Sequence, residues 1–428
     1  MTHVLVVGGG GREHAIAWKL ARSPRVNRIT VAPGNAGTAT LAPHVQNVPI
    51  DATDVVSLLD FAESEAIDLT VVGPEEPLAG GLVDQFAAAG LRIFGPHRQA
   101  ALIETSKIYA KQVMNARGVP TAPHQRFHSL DDAMDYVTTQ PADQLVIKAD
   151  GLARGKGVFL PLGQSDAEGI LRSLLERDAL GAAGRQVIIE HRVAGEEVSV
   201  MAFTDGNSIA VMPSVRDHKR LHNRDEGPNT GGMGSAAPAP LVDGATLARI
   251  RSEIIEPSLA GLQQAGCCFR GVLSVGVALT GEGPLALDLN ARFGDPAAQT
   301  VLPLLDTDLL DVLNACVDGT LDRVALRWRD GAAVTVVLAT AGYPDHSDPG
   351  LPVEQAAPLP DGALVFHAGT RIARDGALIT TGGRVVGVTG TGPDLAAARD
   401  QAYAAARCFD FEGKHYRTDI GAGEDEAQ

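Results

Sequence analysis

The segment DLNARFGDP, Asp288–Pro296, brings two carboxylates, an amide and a guanidinium into eight residues. It ends an apolar stretch, PLALDLN, that reads as a strand, where residues two apart share a face. Asp288 and Asn290 then point the same way and offer hard oxygen ligands, which suit a Mg²⁺ that keeps several waters and bridges phosphates. Arg292 can neutralise a carboxylate or a transferring phosphoryl group. Taken alone, the segment reads equally well as a strand end with a polar turn.

Two other stretches offer complementary chemistry. VIKADGLARGKGV, Val146–Val158, is a glycine-rich connection between two strands carrying Lys148 and Lys156. It is not a P-loop, because the glycine spacing is one residue short and Gly157 stands where a Ser or Thr would hold magnesium. Backbone N–H groups opened by Gly155 and Gly157, with two ammonium charges, suit phosphate oxygens. VIIEHRVAGEEVSV, Val187–Val200, ends a strand at Glu190 and places Glu196 and Glu197 after a short hinge. A hinge offers backbone groups to an adenine edge, and a carboxylate beyond it can accept ribose hydroxyls. Each stretch also has an ordinary reading, as a surface turn or a solvent-facing acid pair.

The elements that must position these residues follow from periodicity. Over the first hundred residues, strand-like runs HVLVV, RITVA, DLTVVG and LRIFG alternate with helices at Arg12–Ala21, Val55–Ala66 and Leu82–Ala89. This alternation implies a parallel sheet covered on both faces. The loops GGGGREH, APGNAGTA, GPEEPLAGG and GPHRQA fall at the carboxyl ends of the strands, where ligands bind in such sheets. A dinucleotide fingerprint fails, since Glu13 occupies its last glycine position and the second strand ends in Ala32 and Pro33. The helix start near Arg12 can still hold a phosphate, or be a plain tight turn.

Further along, a helix spans Thr105 to about Gly118. Then come a helix Leu130–Thr139, strands QLVIKAD and VFLPL, a helix Ala167–Arg177 and the strand RQVIIEHRV. Next are strands EEVSVMAFTDG and SIAVMPSV, a glycine-rich loop from His218 to Ala237, a helix Gly244–Ala265, strands GVLSVGVALT and PLALDLN, and a helix near Asp308–Val317. Strands AVTVVLATAG, ALVFHAG and RVVGVTGTG and a helix Leu395–Cys408 close the chain. The expected divisions are 1–104, a helical connection 105–121, 122–193, 194–329, a strand-rich 330–421, and a frayed tail 422–428. The fold class is therefore α/β and α+β multidomain, with an N-terminal parallel-sheet, Rossmann-like domain.

Composition narrows the function. With 36 basic against 52 acidic residues the net charge is −16, which argues against general nucleic-acid binding. No apolar run is long enough to span a membrane. The four cysteines form no CxxC pair, so a cytoplasmic location is expected.

In order, GGGGREHAIAWKL, APGNAGTA, VGPEEPL, IKADGLARGKGV, DHKR, GPNTGGMGS, RFGDP and RTDIG resemble the successive signatures of the phosphoribosylamine–glycine ligase family within the ATP-grasp superfamily. The resemblance covers nearly the whole chain and implies an ATP-grasp core of two subdomains, 122–193 as the lid and 194–329 as the metal-holding part. It implies ATP-dependent ligation of glycine to 5-phosphoribosylamine through glycyl phosphate, an early step of purine biosynthesis. On matching positions, Lys107 and Lys148 should contact ATP phosphates beneath the loop Gly155, Lys156 and Gly157. Glu190 and Val193 should flank adenine, Glu197 the ribose, and Asp288 and Asn290 should hold Mg²⁺ or Mn²⁺. Gly11, Arg12, Glu13, Gly34 and Asn35 are the implied phosphoribosylamine residues. Asp217, Lys219, Arg292 and Asp295 are the implied catalytic group, with Arg220 beside Lys219 helping to orient glycine.

Two positions depart from the family pattern. Asp288 stands where the family usually has glutamate, and Ala297 where a carboxylate usually follows RFGDP. A monomer is expected, with transient hand-over of the unstable amine from the enzyme that makes it. The rivals are another ATP-grasp ligase, such as one that carboxylates a purine precursor, and a silent nucleotide binder for which Ala297 is the support.

Overall fold

The computed structural model describes residues 1–153 and 157–422. Gly155, Lys156 and the tail beyond Ala422 lie outside the described residues. The N-terminal sheet is parallel and five-stranded, in the spatial order Val45–Asn47, Val26–Pro33, Thr2–Gly8, Leu69–Val72, Ile93–Phe94. Val4, Leu5, Val6 and Val7 are fully buried, because helices cover both faces and alternation gives way to a continuous apolar run. Strand order reverses at the central strand, so a crevice opens where Gly8–Gly11 and Gly73–Glu75 meet. The edge strand Val45–Asn47 was not anticipated; three residues show no periodicity. GPHRQA is not simply a loop, since a helix starts at Arg98 and runs to Thr105.

Residues 122–193 form an antiparallel sheet ordered His124–Phe127, Val187–His191, Leu145–Ala149, Val158–Phe159. Its helices Leu130–Thr138 and Gln164–Leu171 close a separate small core around Val137, Ile147, Leu171 and Ile189. The expected helix Ala167–Arg177 instead begins at Gln164 and widens into a π turn over Arg172–Glu176. A body with its own core can move as a unit, which suits a lid.

The next sheet is ordered Ile209–Val211, Glu196–Thr204, Gly271–Thr280, Gly283–Asn290. Its last strand carries a bulge: Val277 pairs with Ala286 but Gly276 pairs with Asp288, leaving Leu287 extra. Before the bulge Pro284 and Ala286 are buried, and after it Leu289 and Ala291 are. An uninterrupted period of two would have sent Asp288 and Asn290 into the core beside Ala286. The bulge turns them outward to the site.

The C-terminal sheet corrects two expectations. It is ordered Arg216–Asp217, Gly234–Ala237, Ala332–Ala339, Arg384–Gly392, Leu364–His367, so two strands from the 194–329 region pair into it. The stretch 218–237 is also not one loop, because Arg220–His222 and Glu226–Asn229 form a hairpin within it. Short glycine-bearing strands lack the apolar alternation that would reveal them. The divisions at 104/105 and 329/330 are bridged by shared cores as well. Leu5 and Val7 pack in one cluster with Met114, Val200 and Leu273, and Val4 and Val6 share another with Leu313, Ala333 and Phe366.

Candidate active site

Four lysines converge on the bulged strand. Lys148, on strand Leu145–Ala149, lies 2.8 Å from Glu190 Oε2 and donates to the Leu287 carbonyl at 3.1 Å, the residue the bulge displaces. Lys107 and Lys111 sit one turn apart on helix Lys107–Ala116, which places both on one face. Lys111 reaches Glu190 Oε1 at 3.2 Å and donates to the Thr121 hydroxyl. Burial brings Lys111 down to about 8 and pulls Lys107 below the usual lysine range, against the opposing pull of Glu190 and Asp288. Burial works against charge on Asp288 too, yet Lys219, Lys107, Lys148 and Arg292 together hold its carboxyl down at about 2. Lys107, Lys111, Lys148, Glu190 and Asp288 line a small pocket that includes Ile103, Met114 and Leu289.

Glu190 was expected beside adenine. Its side chain instead lies fully enclosed between Lys148 and Lys111, because two buried ammonium groups need a carboxylate between them. Val193, in the connection His191–Glu196, is half-buried. Asn290 is half-buried opposite Ser274. Gly157 accepts a hydrogen bond from the Ala149 N–H through its carbonyl.

Lys219 bridges toward Glu197 at 3.0 Å, and although burial opposes it, Asp288 and Glu197 raise its basicity. Asp217 accepts a hydrogen bond from the Ser199 hydroxyl through Oδ2, while its buried Oδ1 has no protein partner. Burial pushes the Asp217 carboxyl up. A buried acceptor with nothing to accept is a place for a donor from a ligand.

Arg292 does not reach freely toward a phosphoryl group. Its guanidinium lies 2.8 Å from Glu104 and 3.3 Å from Glu75, and Glu75 is 3.8 Å from Arg12. Arg12 in turn bonds Glu13 at 2.6 Å, and the second Glu13 oxygen accepts the Gly10 N–H. The result is a ladder of alternating charge, Glu13–Arg12–Glu75–Arg292–Glu104. Burial lifts Glu104 despite Arg292, whereas Arg292 and Arg12 overcome burial to hold Glu75 low. Sequence reading missed Glu75, Glu104 and Lys111; Glu75 lay in the quoted VGPEEPL, and Lys111 shares the face of Lys107 at i+4.

A second opening, a cleft of about 660 Å³, lies where the N-terminal and C-terminal sheets meet. Its walls include Gly9, Gly10, Gly34, Thr230, Asp295 and Arg384. Asp295 bonds Arg384 at 2.8 Å and accepts the Gln299 amide at 2.7 Å. Of the residues expected to bind phosphoribosylamine, Gly34 lines this cleft, while Arg12, Glu13 and Asn35 do not. Asn35 caps the short helix Ala36–Ala39 and donates to the Gly9 and His367 carbonyls, so its polar atoms are consumed by the fold. A Cβ on Gly11 would meet the Gln299 amide at 2.6 Å, which leaves that position facing protein. Arg384 carried no sequence signal, being one basic residue at the start of an apolar strand.

Models of three successive units match the chain: Phosphoribosylglycinamide synthetase, N domain, over residues 2–104; its ATP-grasp (A) domain over 105–298; and its C domain over 333–423. The chain belongs to the phosphoribosylglycinamide synthetase family. It is 45% identical over 422 residues to the phosphoribosylamine–glycine ligase of Chlorobaculum tepidum, covering 98% of this chain and 99% of that one. It is 47% identical over 419 residues to the ligase of Ralstonia nicotianae, covering 98% of each. The crystal structure of phosphoribosylamine–glycine ligase from Thermotoga maritima superposes with a TM-score of 0.84 at 33% identity, over 98% of this chain and 100% of that one. A biotin carboxylase from Campylobacter jejuni, 14% identical with a TM-score of 0.73 over 97% of this chain and 93% of that one, shares the fold alone.

As a member of this family the chain is an ATP-grasp ligase. It uses ATP to join glycine to 5-phosphoribosylamine in purine biosynthesis. No helix among the described residues is long and apolar enough to cross a membrane.

Proposed function

We propose that the two openings divide the reaction. The lysine-lined pocket under the lid holds the ATP phosphates and the glycine carboxylate, and the 660 Å³ cleft receives phosphoribosylamine. The observation that carries this reading is Asp288, kept ionised by four surrounding cations at the end of a strand the bulge has re-aimed.

Asp288 and Asn290 supply two hard oxygen donors, which fit Mg²⁺, or Mn²⁺ in its place. Among the described residues no three acidic, His or Cys side chains cluster as a cage, so Asp288 and Asn290 are the residues that would hold such an ion. When bound, such an ion neutralises phosphate charge. The chain's own residues do the rest. Lys107 and Lys148 hold phosphate oxygens in line, Glu197 meets the ribose, and Asp217 Oδ1 accepts from the glycine ammonium. Lys219 offsets charge on the carboxylate. By the family resemblance the loop of Gly155, Lys156 and Gly157 is the candidate for covering the phosphates and excluding water, Gly155 and Lys156 lying outside the described residues.

A glycine carboxylate oxygen bonds to the γ-phosphorus as the bond to ADP breaks, giving glycyl phosphate. The amine nitrogen then attacks the acyl carbon, phosphate leaves, and the nitrogen loses a proton. Catalysis of the first step is chiefly positioning and charge neutralisation. In the cleft, Arg384 and the N–H group of Gly9 suit the anionic end of the sugar phosphate. Asp295 fixes the Arg384 fork. We propose that the enzyme acts as a monomer, and the lability of the amine favours direct hand-over from the enzyme that makes it. Four free thiols suit a reducing cytoplasm.

The test is ADP release with ATP, Mg²⁺, glycine and phosphoribosylamine generated in place, each omitted in turn. Release that needs every component is expected. ATP binding without dependence on glycine and amine would overturn the reading. Arg384→Ala should raise the KM for the amine roughly tenfold or more, the effect of one charge-assisted contact, and leave that for ATP alone.

A further inference from the structure

RTDIG, near the C-terminus, has no role in the reading above, yet its arginine is among the most enclosed side chains in the protein. Arg417 is 1% exposed. Its guanidinium donates to Asp225 at 2.6 Å, to both Asp419 oxygens at 2.8 and 2.7 Å, and to the Arg220 carbonyl at 3.2 Å. Neighbouring residues repeat the pattern. Thr418 and Asn223 exchange two hydrogen bonds, and Asp419 accepts the Arg224 N–H at 2.8 Å. His415 Nε2 lies 3.1 Å from the Leu221 carbonyl. Ile420 presses on Gly234, where a Cβ would come within 2.9 Å, and its N–H is held by the Tyr403 hydroxyl.

Apart from the internal Arg417–Asp419 pair, these contacts from residues 415–419 land on one hairpin, Arg220–His222 with Glu226–Asn229. Its turn places Arg224 at φ 59° and Asp225 at φ 53°, a left-handed backbone that non-glycine residues adopt reluctantly. The strap holds both: Asp419 takes the Arg224 N–H and Arg417 takes the Asp225 carboxylate. The hairpin begins just after Lys219 and ends just before Thr230. Thr230 returns its N–H and hydroxyl to the Lys219 carbonyl, each at 2.8 Å. Lys219 is among the cations that keep Asp288 ionised, and Thr230 lines the wall of the cleft.

We propose that residues 415–420 form a strap that sets the Lys219–Thr230 junction, with Arg417 as its positioning residue for the glycine and amine half of the reaction. This rests on the two-opening reading above. The nucleotide pocket gains no such support from the strap, since Lys111 and Lys148 are both fixed to Glu190.

The experiment compares Arg417→Lys, Asp225→Asn and the double variant Asn223→Ala/Thr418→Ala in steady-state ADP release, beside equilibrium ATP binding and thermal unfolding. The expected result is a roughly tenfold rise in KM for glycine and for the amine, the size of one lost charge-assisted bond, with ATP binding within about twofold. Asp225 is largely exposed, so Asp225→Asn carries the decision if Arg417→Lys does not fold. A lowered unfolding temperature with every KM unchanged would overturn the strap's role in catalysis. If the unsubstituted protein releases no ADP in response to glycine, the underlying two-opening reading fails instead.

Discussion

Asp288 lies over Gly276 so closely that a Cβ built on Gly276 would sit 2.1 Å from Asp288 Oδ1. The glycine is the empty half of the bulge that turns the carboxylate outward, and the two residues are opposed in the ladder. Gly276→Ala should therefore displace Asp288 without opening a cavity. Activity is expected to fall by about 100-fold, as a misplacement of about 1 Å can cost, with little change in unfolding temperature. Steady-state ADP release beside calorimetry checks this; unchanged kcat would show that the carboxylate need not stand there.

Glu190 is the shared partner of Lys148 and Lys111, and is itself fully buried. Glu190→Gln leaves two ammonium groups facing each other without a counter-charge. Removing one member of a buried ion pair costs about 3–5 kcal/mol. Urea unfolding should register a loss of that order. Lys111, already drawn down to about 8, should titrate lower still. A loss well below 1 kcal/mol would mean that water enters the pocket and screens the lysines.

Ala297 replaces a carboxylate expected from the family resemblance, but its side chain is 1% exposed in the cluster that includes Met201, Phe293 and Val301. Arg12, Arg292 and Arg384 each already have a carboxylate partner. A restored glutamate would bring a charge to an apolar site whose neighbouring cations are engaged. Ala297→Glu should lower the unfolding temperature and leave kcat/KM no higher. A gain in kcat/KM would show that the cleft does lack an acid.

His14 joins the N-terminal domain to the C-terminal one, its Nδ1 accepting the His367 N–H at 2.9 Å. Burial, then the neighbouring His367, brings its pKa down to about 3. The folded state thus refuses a proton that the unfolded chain takes up near pH 6.5. Stability is full above that value and falls as pH drops toward 3, by roughly 2 kcal/mol at pH 5. Urea titrations at pH 7 and pH 5 should show this loss in the unsubstituted protein and a smaller one in His14→Gln. Equal losses would place the acid sensitivity elsewhere.

The sequence by itself determined the parallel N-terminal sheet, the lysine strand, the glycine-rich connection and the pair Asp288 and Asn290. Those signals are local: apolar period, glycine spacing, residues two apart on a strand. Tertiary structure decided which polar groups remain free for a ligand. Arg12, Glu13 and Asn35 sit in the loops that sequence indicated, yet their side chains turn inward, because buried cations and helix ends must be satisfied before any ligand is. Arg384, Glu75 and Glu104 reach the site from segments 89 to 217 residues from their partners. The bulge at Leu287 depends on a strand pairing that no local pattern records. Sequence spacing encodes which residues share one element's face; which faces meet, and which charges cancel there, is settled only when the elements pack.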